Sequence, residues 1–335
     1  MPEKIKKLHT KIFGLRSRIK GLPTDAGWWL GFNNSFFNNA KGSRILLYHG
    51  VCKGDPLQFN TLFVTVKTFE AQLKLYKKYF NLVSMDAYYA GDLSREKFNL
   101  CLTFDDGFAN NYSYVLPLLE KYQVPATFFI TGIRSAGYNI LWNDLLSIAY
   151  QYGPSSFVLR NDTFIKDRNG KYISSSTNEP LAALLRTTGF ADKAAMMQAL
   201  GNIHEKVPED YWLQLTAEQI KQLSQSLWVT IGNHSSYHND LARIPVAEAG
   251  EDMAASKKYL EGITGKSINA FAFPYGSYNS AVAEAAINCG HTQLLATDFN
   301  KGDQSNGTFL KERLTINPFI SNINQLHASI TGNYR

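Results

Sequence analysis

Residues 99–107 read NLCLTFDDG, an apolar run that ends in two adjacent carboxylates and a glycine. The run predicts a strand, and Asp105-Asp106-Gly107 predicts the turn that ends it. Outward from it, 111–122 reads as helix and VPATFFIT (124–131) as the next strand. Upstream, RILLYHGV (44–51) is a short apolar strand ending in Tyr48 and His49. VKTFEAQLKLYKKYF (66–80) places Phe69, Leu73, Tyr76 and Phe80 on one side of a helix. Downstream come helix 216–225, strand WVTIG (228–232), helix 246–261, strand INAFAF (268–273), helix 279–289, strand TQLLAT (292–297), strand LTI (314–316) and a closing helix over 320–330. Repeated strand-then-helix units imply a parallel sheet with helices outside. About seven strands predict an α/β fold of distorted (β/α) barrel type.

Residues 133–213 break that rhythm. SFVLRNDTFIKDRNGKYI (156–173) predicts short strands turned at Asn161-Asp162 and Asn169-Gly170, and 181–206 reads as helical. An insertion of this length in a barrel is expected to form a cap or lid over one face. The expected organisation is an N-terminal segment over 1–43 and a barrel over 44–335 carrying that insertion.

The chain has 335 residues, 44% hydrophobic and 19% charged, which excludes wholesale disorder and fibrous repeats. Cys52, Cys101 and Cys289 are scattered and odd in number, so they predict reduced thiols, neither a disulfide framework nor a thiolate zinc site. Of 34 bases and 28 acids, residues 1–20 hold seven bases and one acid, leaving a body of 27 and 27. A neutral body argues against nucleic acid as a partner.

Ile5, Leu8, Ile12, Leu15, Ile19 and Leu22 recur at spacings of three and four, one apolar stripe on a basic helix. Such a helix over 4–22 is expected either to lie on an anionic membrane surface, with Trp28, Trp29 and Phe32 at the same depth, or to pack on protein. No run of 18 apolar residues and no signal-peptide core are present. The expected location is the cytoplasm, peripheral to the inner face of the membrane if the helix binds it.

Three clusters follow apolar strands: Thr103-Phe-Asp-Asp-Gly107, His234-Ser-Ser-Tyr-His238 and Phe273-Pro-Tyr-Gly276. Each alone is an ordinary turn or a chance pair. Their conjunction at strand ends, where parallel α/β folds place chemistry, points to a site. One aspartate and two histidines at i and i+4 make an open divalent-metal site. The second aspartate, leaving the strand in another direction, suits a general base. Oxygen chemistry at Fe(II) would not need that second carboxylate, so hydrolysis is favoured.

The order TFDDG, HSSYH, FPYG resembles the polysaccharide deacetylase superfamily (carbohydrate esterase family 4, the NodB-homology domain) over about 44–131 and 214–316. The resemblance implies a distorted barrel that hydrolyses N-acetyl or O-acetyl groups on sugars with zinc or a similar divalent ion. It implies Asp105 as catalytic base, Asp106, His234 and His238 as metal ligands, and the Tyr275 N–H as oxyanion donor. It implies an N-acetylated glycan or glycan precursor as substrate. A lipid-linked sugar, deformylated or deacetylated, and a non-catalytic carbohydrate-binding relative are the alternatives.

This sequence departs from the family pattern twice. An arginine often stands two residues before the proline, where this chain has Ala272; Arg313, just before the last strand, is the candidate replacement. The usual C-terminal histidine acid has no clear counterpart, because His327 lies in a polar tail and reads as a surface residue. His49 resembles the branch with its histidine motif on the first strand and is read as the general acid. His9, His204 and His291 read as structural or solvated.

Overall fold

The computed structural model of the protein describes residues 22–23, 25–28, 34–297 and 309–334. Nine strands pair in one sheet: β1 (Ser43–Tyr48), β2 (Phe80–Leu82), β3 (Phe98–Phe104), β4 (Ala126–Ile130), β5 (Val229–Asn233), β6 (Ala270–Ala272), β7 (Gln293–Ala296), β8 (Leu310–Glu312) and β9 (Leu314–Thr315). Their order is β8-β7-β6-β5-β4-β3-β1-β9, with every pairing parallel. β2 shares an edge of β3 with β4, taking Phe98–Leu100 while β4 takes Leu102–Phe104.

β8 and β9 are the two ends of this row, yet only Arg313 separates them in sequence. Their nearest Cα atoms can therefore be no more than about 7 Å apart. The row must curl until its ends nearly meet, which is the expected distorted (β/α) barrel. Two strands exceed the sequence expectation. β2 is three residues joined to the end of helix Val66–Tyr79 without a turn, and β8 carries Lys311 and Glu312 where an apolar run would have marked it.

Parallel register sets Tyr48 beside Phe104 and Phe104 beside Phe128, and their rings stack at 5.1 and 4.9 Å. This face packs under the helix Val66–Tyr79 through Phe69, Leu73 and Tyr76. The alternate face turns inward, where Ile45, Cys101, Phe129, Ala270, Ala272 and Leu295 fill the barrel. Trp28 packs edge-on against Phe37 and Tyr79, both at 5.8 Å, so its ring is committed to the protein. The basic stripe over 4–22 lies outside the described residues except for Leu22, as do Trp29 and Phe32. No helix among the described residues is long and apolar enough to cross a membrane. Cys52 and Cys101 are buried free thiols, and Cys289 is half-buried and free.

Within 133–213 the chain forms helix Trp142–Tyr152, a three-stranded antiparallel sheet over 156–174, and helices Leu181–Arg186 and Phe190–Leu200. These gather a hydrophobic cluster of their own around Trp142, Leu146, Phe164, Tyr172, Met196 and Trp212. The chain returns to the barrel where Leu213 accepts a hydrogen bond from the Ala109 N–H and the Leu215 N–H donates to Gly107.

Phe104 is fully buried between two stacked rings, one residue before Asp105. Phe104→Ala is expected to destabilise the protein by about 3–5 kcal/mol, read as a lowered urea midpoint. A loss under about 1 kcal/mol would show that the aromatic layer does not hold these strands together.

Candidate active site

The residues singled out from the sequence sit at the carboxyl ends of the strands. Asp105 and Asp106 follow β3, His49 follows β1, His234 follows β5, Tyr275 follows β6 and Arg313 follows β8. The alternation of β3 aims Thr103 and Asp105 into the barrel mouth, and the Asp105 N–H donates to the Tyr48 carbonyl at 3.0 Å. Asp106 then takes a left-handed backbone (φ 74°), so its carboxylate leaves in a different direction from that of Asp105. Gly107 continues the turn at φ 78°, where a Cβ would stand 2.8 Å from Ile130 Cγ2. Only glycine fits that position without displacing β4.

Asp106, His234 and His238 converge. One ligand atom from each lies within 4.8 Å of the others, and all three residues are buried. Asp106 Oδ1 is 3.4 Å from His234 Nε2 and 3.2 Å from His238 Nε2. His234 Nδ1 lies 2.7 Å from the Ala272 carbonyl. A carbonyl only accepts, so Nδ1 carries the proton and Nε2 turns its lone pair toward the Asp106 oxygen. Asp106 Oδ1 and His238 Nδ1 are buried without hydrogen-bond partners. Facing lone pairs repel unless a proton or a metal cation lies between them, and two imidazoles and a carboxylate converging on one point are a donor set that fits a divalent metal ion. Burial lowers the His234 imidazole, but the Asp105 and Asp106 charges outweigh it and hold it above its ordinary value. Burial raises Asp106, and the two histidines outweigh that, holding it well below the usual carboxylate range.

Asp105 stands beside this cluster, 3.8 Å from His234 Nε2. Arg313 grips it bidentately, Nη1 to Oδ1 at 2.6 Å and Nη2 to Oδ2 at 2.7 Å, while Nη1 also reaches Thr103 Oγ1 at 3.3 Å. Burial raises the Asp105 carboxyl, and Arg313 and His234 more than offset this, keeping it below its usual value and ionised. Arg313 thus gives Asp105 a cation that position 272 does not supply, the Ala272 methyl group lying in the barrel interior.

His49 has a buried Nδ1 with no partner. Burial lowers its imidazole while the charges of Asp106 and Asp105 pull the other way. Tyr275 adopts φ 60° and ψ 6° inside the turn Pro274–Gly276. Its ring meets His238 edge-on at 4.6 Å and remains 37% exposed at the mouth of the site.

The loop carrying the histidines is fixed by residues that the sequence did not flag. Asn233 accepts from the Ser235 N–H and donates to the Met253 carbonyl, and its Nδ2 also meets His291 Nε2 at 3.1 Å. Ser235 Oγ accepts from the His238 N–H at 3.0 Å. Asp252, on helix Val246–Thr264, accepts from the Ser236 N–H and from Asn239 Nδ2. Burial pushes Asp252 up to about 6 despite those donors. Its only sequence signal is a polar residue on the inner face of an amphipathic helix. His291 is buried as a structural residue. His204 is buried edge-on to Trp212 at 4.5 Å, away from the site. His327 stacks on Phe36 at 5.1 Å, half-buried in the closing helix and not free at the surface. His9 lies outside the described residues.

The putative polysaccharide deacetylase YxkH of Bacillus subtilis (strain 168) is 22% identical over 281 residues, covering 83% of this chain and 72% of that protein. Among solved structures, Streptococcus pyogenes deacetylase PplD, in complex with acetate, superposes with TM-score 0.56 at 20% identity over 86% of this chain and 97% of its own. IcaB from Ammonifex degensii gives 0.53 at 18% identity over 87% and 98%. At such identities these structures share the fold. The polysaccharide deacetylase family model matches residues 93–164 and 167–294, more than half of the chain, and the chain belongs to the polysaccharide deacetylase family.

Proposed function

We propose that the protein is a metal-dependent deacetylase that removes N-acetyl groups from amino sugars of a polysaccharide or glycan precursor, with zinc as the ion. One observation carries this reading: the buried Asp106, His234 and His238 set stands beside an ionised carboxylate, Asp105, that Arg313 holds apart from it. Histidine and carboxylate ligands in an open site suit zinc. An ion bound there would supply Lewis acidity toward the acetyl carbonyl and lower the pKa of water.

In this reading Asp105 takes a proton from water as its oxygen adds to the acetyl carbon. Arg313 fixes the direction in which the carboxylate presents its lone pairs. The Tyr275 N–H is assigned to the oxyanion that develops on the carbonyl oxygen, where one such donor is worth about 3 kcal/mol. The C–N bond then breaks, and His49 gives the leaving nitrogen its proton, releasing acetate and a free amine. Burial works against the protonated form that a general acid needs, and the charges of Asp106 and Asp105 favour it. Residues 4–22 are assigned to an anionic membrane surface, which would bring the enzyme to a membrane-linked glycan.

Acetate release from N-acetylated and O-acetylated glycan oligomers tests the activity. Release from N-acetylated members, abolished by chelation and restored by zinc, is expected. Binding of the same glycans without release would instead identify a carbohydrate-binding relative. Asp105→Asn should keep its zinc and lose about 10²–10⁴-fold in turnover; undiminished turnover would remove Asp105 from the mechanism.

Arg313→Met removes the cation that lowers Asp105. The base is then protonated at higher pH, so the acid limb of the kcat/KM profile should move up. An acid limb unmoved in Arg313→Met would assign it to another group.

A further inference from the structure

The segment 133–213 grips the histidine loop at Tyr237, His238 and Asp240. Phe190 stacks on Tyr237, with centroids 4.0 Å apart and planes 8° from parallel. Trp142 Nε1 donates to the His238 carbonyl at 3.1 Å. Arg186 binds Asp240 through Nε at 3.2 Å and Nη2 at 2.6 Å. Trp142 is itself firmly seated. It is buried in the hydrophobic cluster of that segment, and Nζ of the buried Lys193 lies 5.3 Å from its ring centre.

The two candidate ligand histidines are not held alike. His234 is oriented through its ring, because its Nδ1–H donates to the Ala272 carbonyl. Ligating histidines usually fix their second nitrogen in this way. His238 has no such bond: its Nδ1 is buried without a partner. Its backbone is also left-handed, at φ 53°, a conformation that a residue with a Cβ keeps only when its surroundings impose it. The histidine loop supplies one backbone anchor, Ser235 Oγ accepting from the His238 N–H at 3.0 Å. The other anchor, at the carbonyl, comes from Trp142. With no bond at the ring, the direction of His238 Nε2 is set by this backbone and by the Tyr275 ring, which meets the imidazole edge-on at 4.6 Å.

We propose that Trp142 is a positioning residue for the metal: its indole N–H holds the His238 carbonyl and so aims His238 Nε2 at the point where Asp106 and His234 converge. The segment 133–213 thereby becomes part of the metal centre, although none of Asp106, His234 and His238 comes from it. The proposal rests on the metal-site reading above and adds a residue on which retention of the ion depends. Loss of a group that orients a ligating histidine typically costs about 10–100-fold in metal affinity.

The test measures the zinc affinity of the full-length protein, by competition with a chromogenic chelator, in wild type and three variants. Trp142→Phe removes the donor. Replacing Trp142 by its benzothiophene isostere removes only the N–H and keeps the bicyclic ring. Phe164→Leu trims the same hydrophobic cluster from its small sheet and is the control for general loosening. Both changes at position 142 should raise the zinc Kd about 10–100-fold, while Phe164→Leu should stay within about threefold of wild type. With cobalt in place of zinc, the visible absorption bands report ligand geometry. They should change in both Trp142 variants and not in Phe164→Leu. Should Trp142→Phe fail to fold, the isostere decides alone. Wild-type affinity in the isostere would overturn the proposal, because packing and not the hydrogen bond would then be at work. Equal loss in all three variants would overturn it in the same way. If wild type itself takes up no zinc, the metal reading fails and the proposal with it; tight zinc in wild type with unchanged Trp142 variants defeats the proposal alone.

Discussion

A buried guanidinium–carboxylate pair, Arg313 with Asp105, is the constraint from which the rest of the site follows. Both side chains are nearly inaccessible, and both carboxylate oxygens are engaged. Desolvating two charges is repaid only by such bidentate geometry, and removing one partner of a buried pair costs about 3–5 kcal/mol. Arg313 is also the single residue between the two end strands of the sheet. The contact that keeps Asp105 ionised therefore also ties the barrel seam to β3. Fold closure and the charge state of the proposed base depend on one side chain.

The same pair accounts for the division of labour between adjacent aspartates. Asp105 continues the strand direction and is held by the guanidinium. Asp106 reverses through a left-handed backbone and meets two histidines. Ala272 contributes a methyl group to the barrel interior and a carbonyl that sets the His234 tautomer. A second layer, Asn233, Ser235 and Asp252, holds the histidine loop at its positive-φ turns, Ser235 and His238. Trp142 and Arg186 of the segment 133–213 brace it through the His238 carbonyl and Asp240.

Much of this was legible in the sequence because apolar runs and strand-end motifs are local signals. The barrel class, most element boundaries and the grouping of one strand-end aspartate with His234 and His238 came from such signals; that this aspartate is Asp106 came from the family resemblance. β2 escaped because it is three residues fused to a helix end, and β8 because two of its three residues are charged. Arg313 was reached only through the absence of an arginine at Ala272. Trp142 and Arg186 gave no warning at all. Their part depends on how the segment 133–213 folds back, across 96 residues to His238 and 54 to Asp240, which no local pattern records. Trp28 read as an interfacial aromatic, whereas packing on Phe37 and Tyr79 claims it.

The central claim is that the two aspartates have different fates, one on the metal and one on the arginine. Crystals of the zinc-loaded protein, measured on both sides of the zinc absorption edge, test it most directly. The account predicts one anomalous peak bounded by Asp106, His234 and His238, with Asp105 still paired to Arg313 and outside the ion's coordination. A peak elsewhere, or one coordinated by Asp105 with Arg313 displaced, would contradict it.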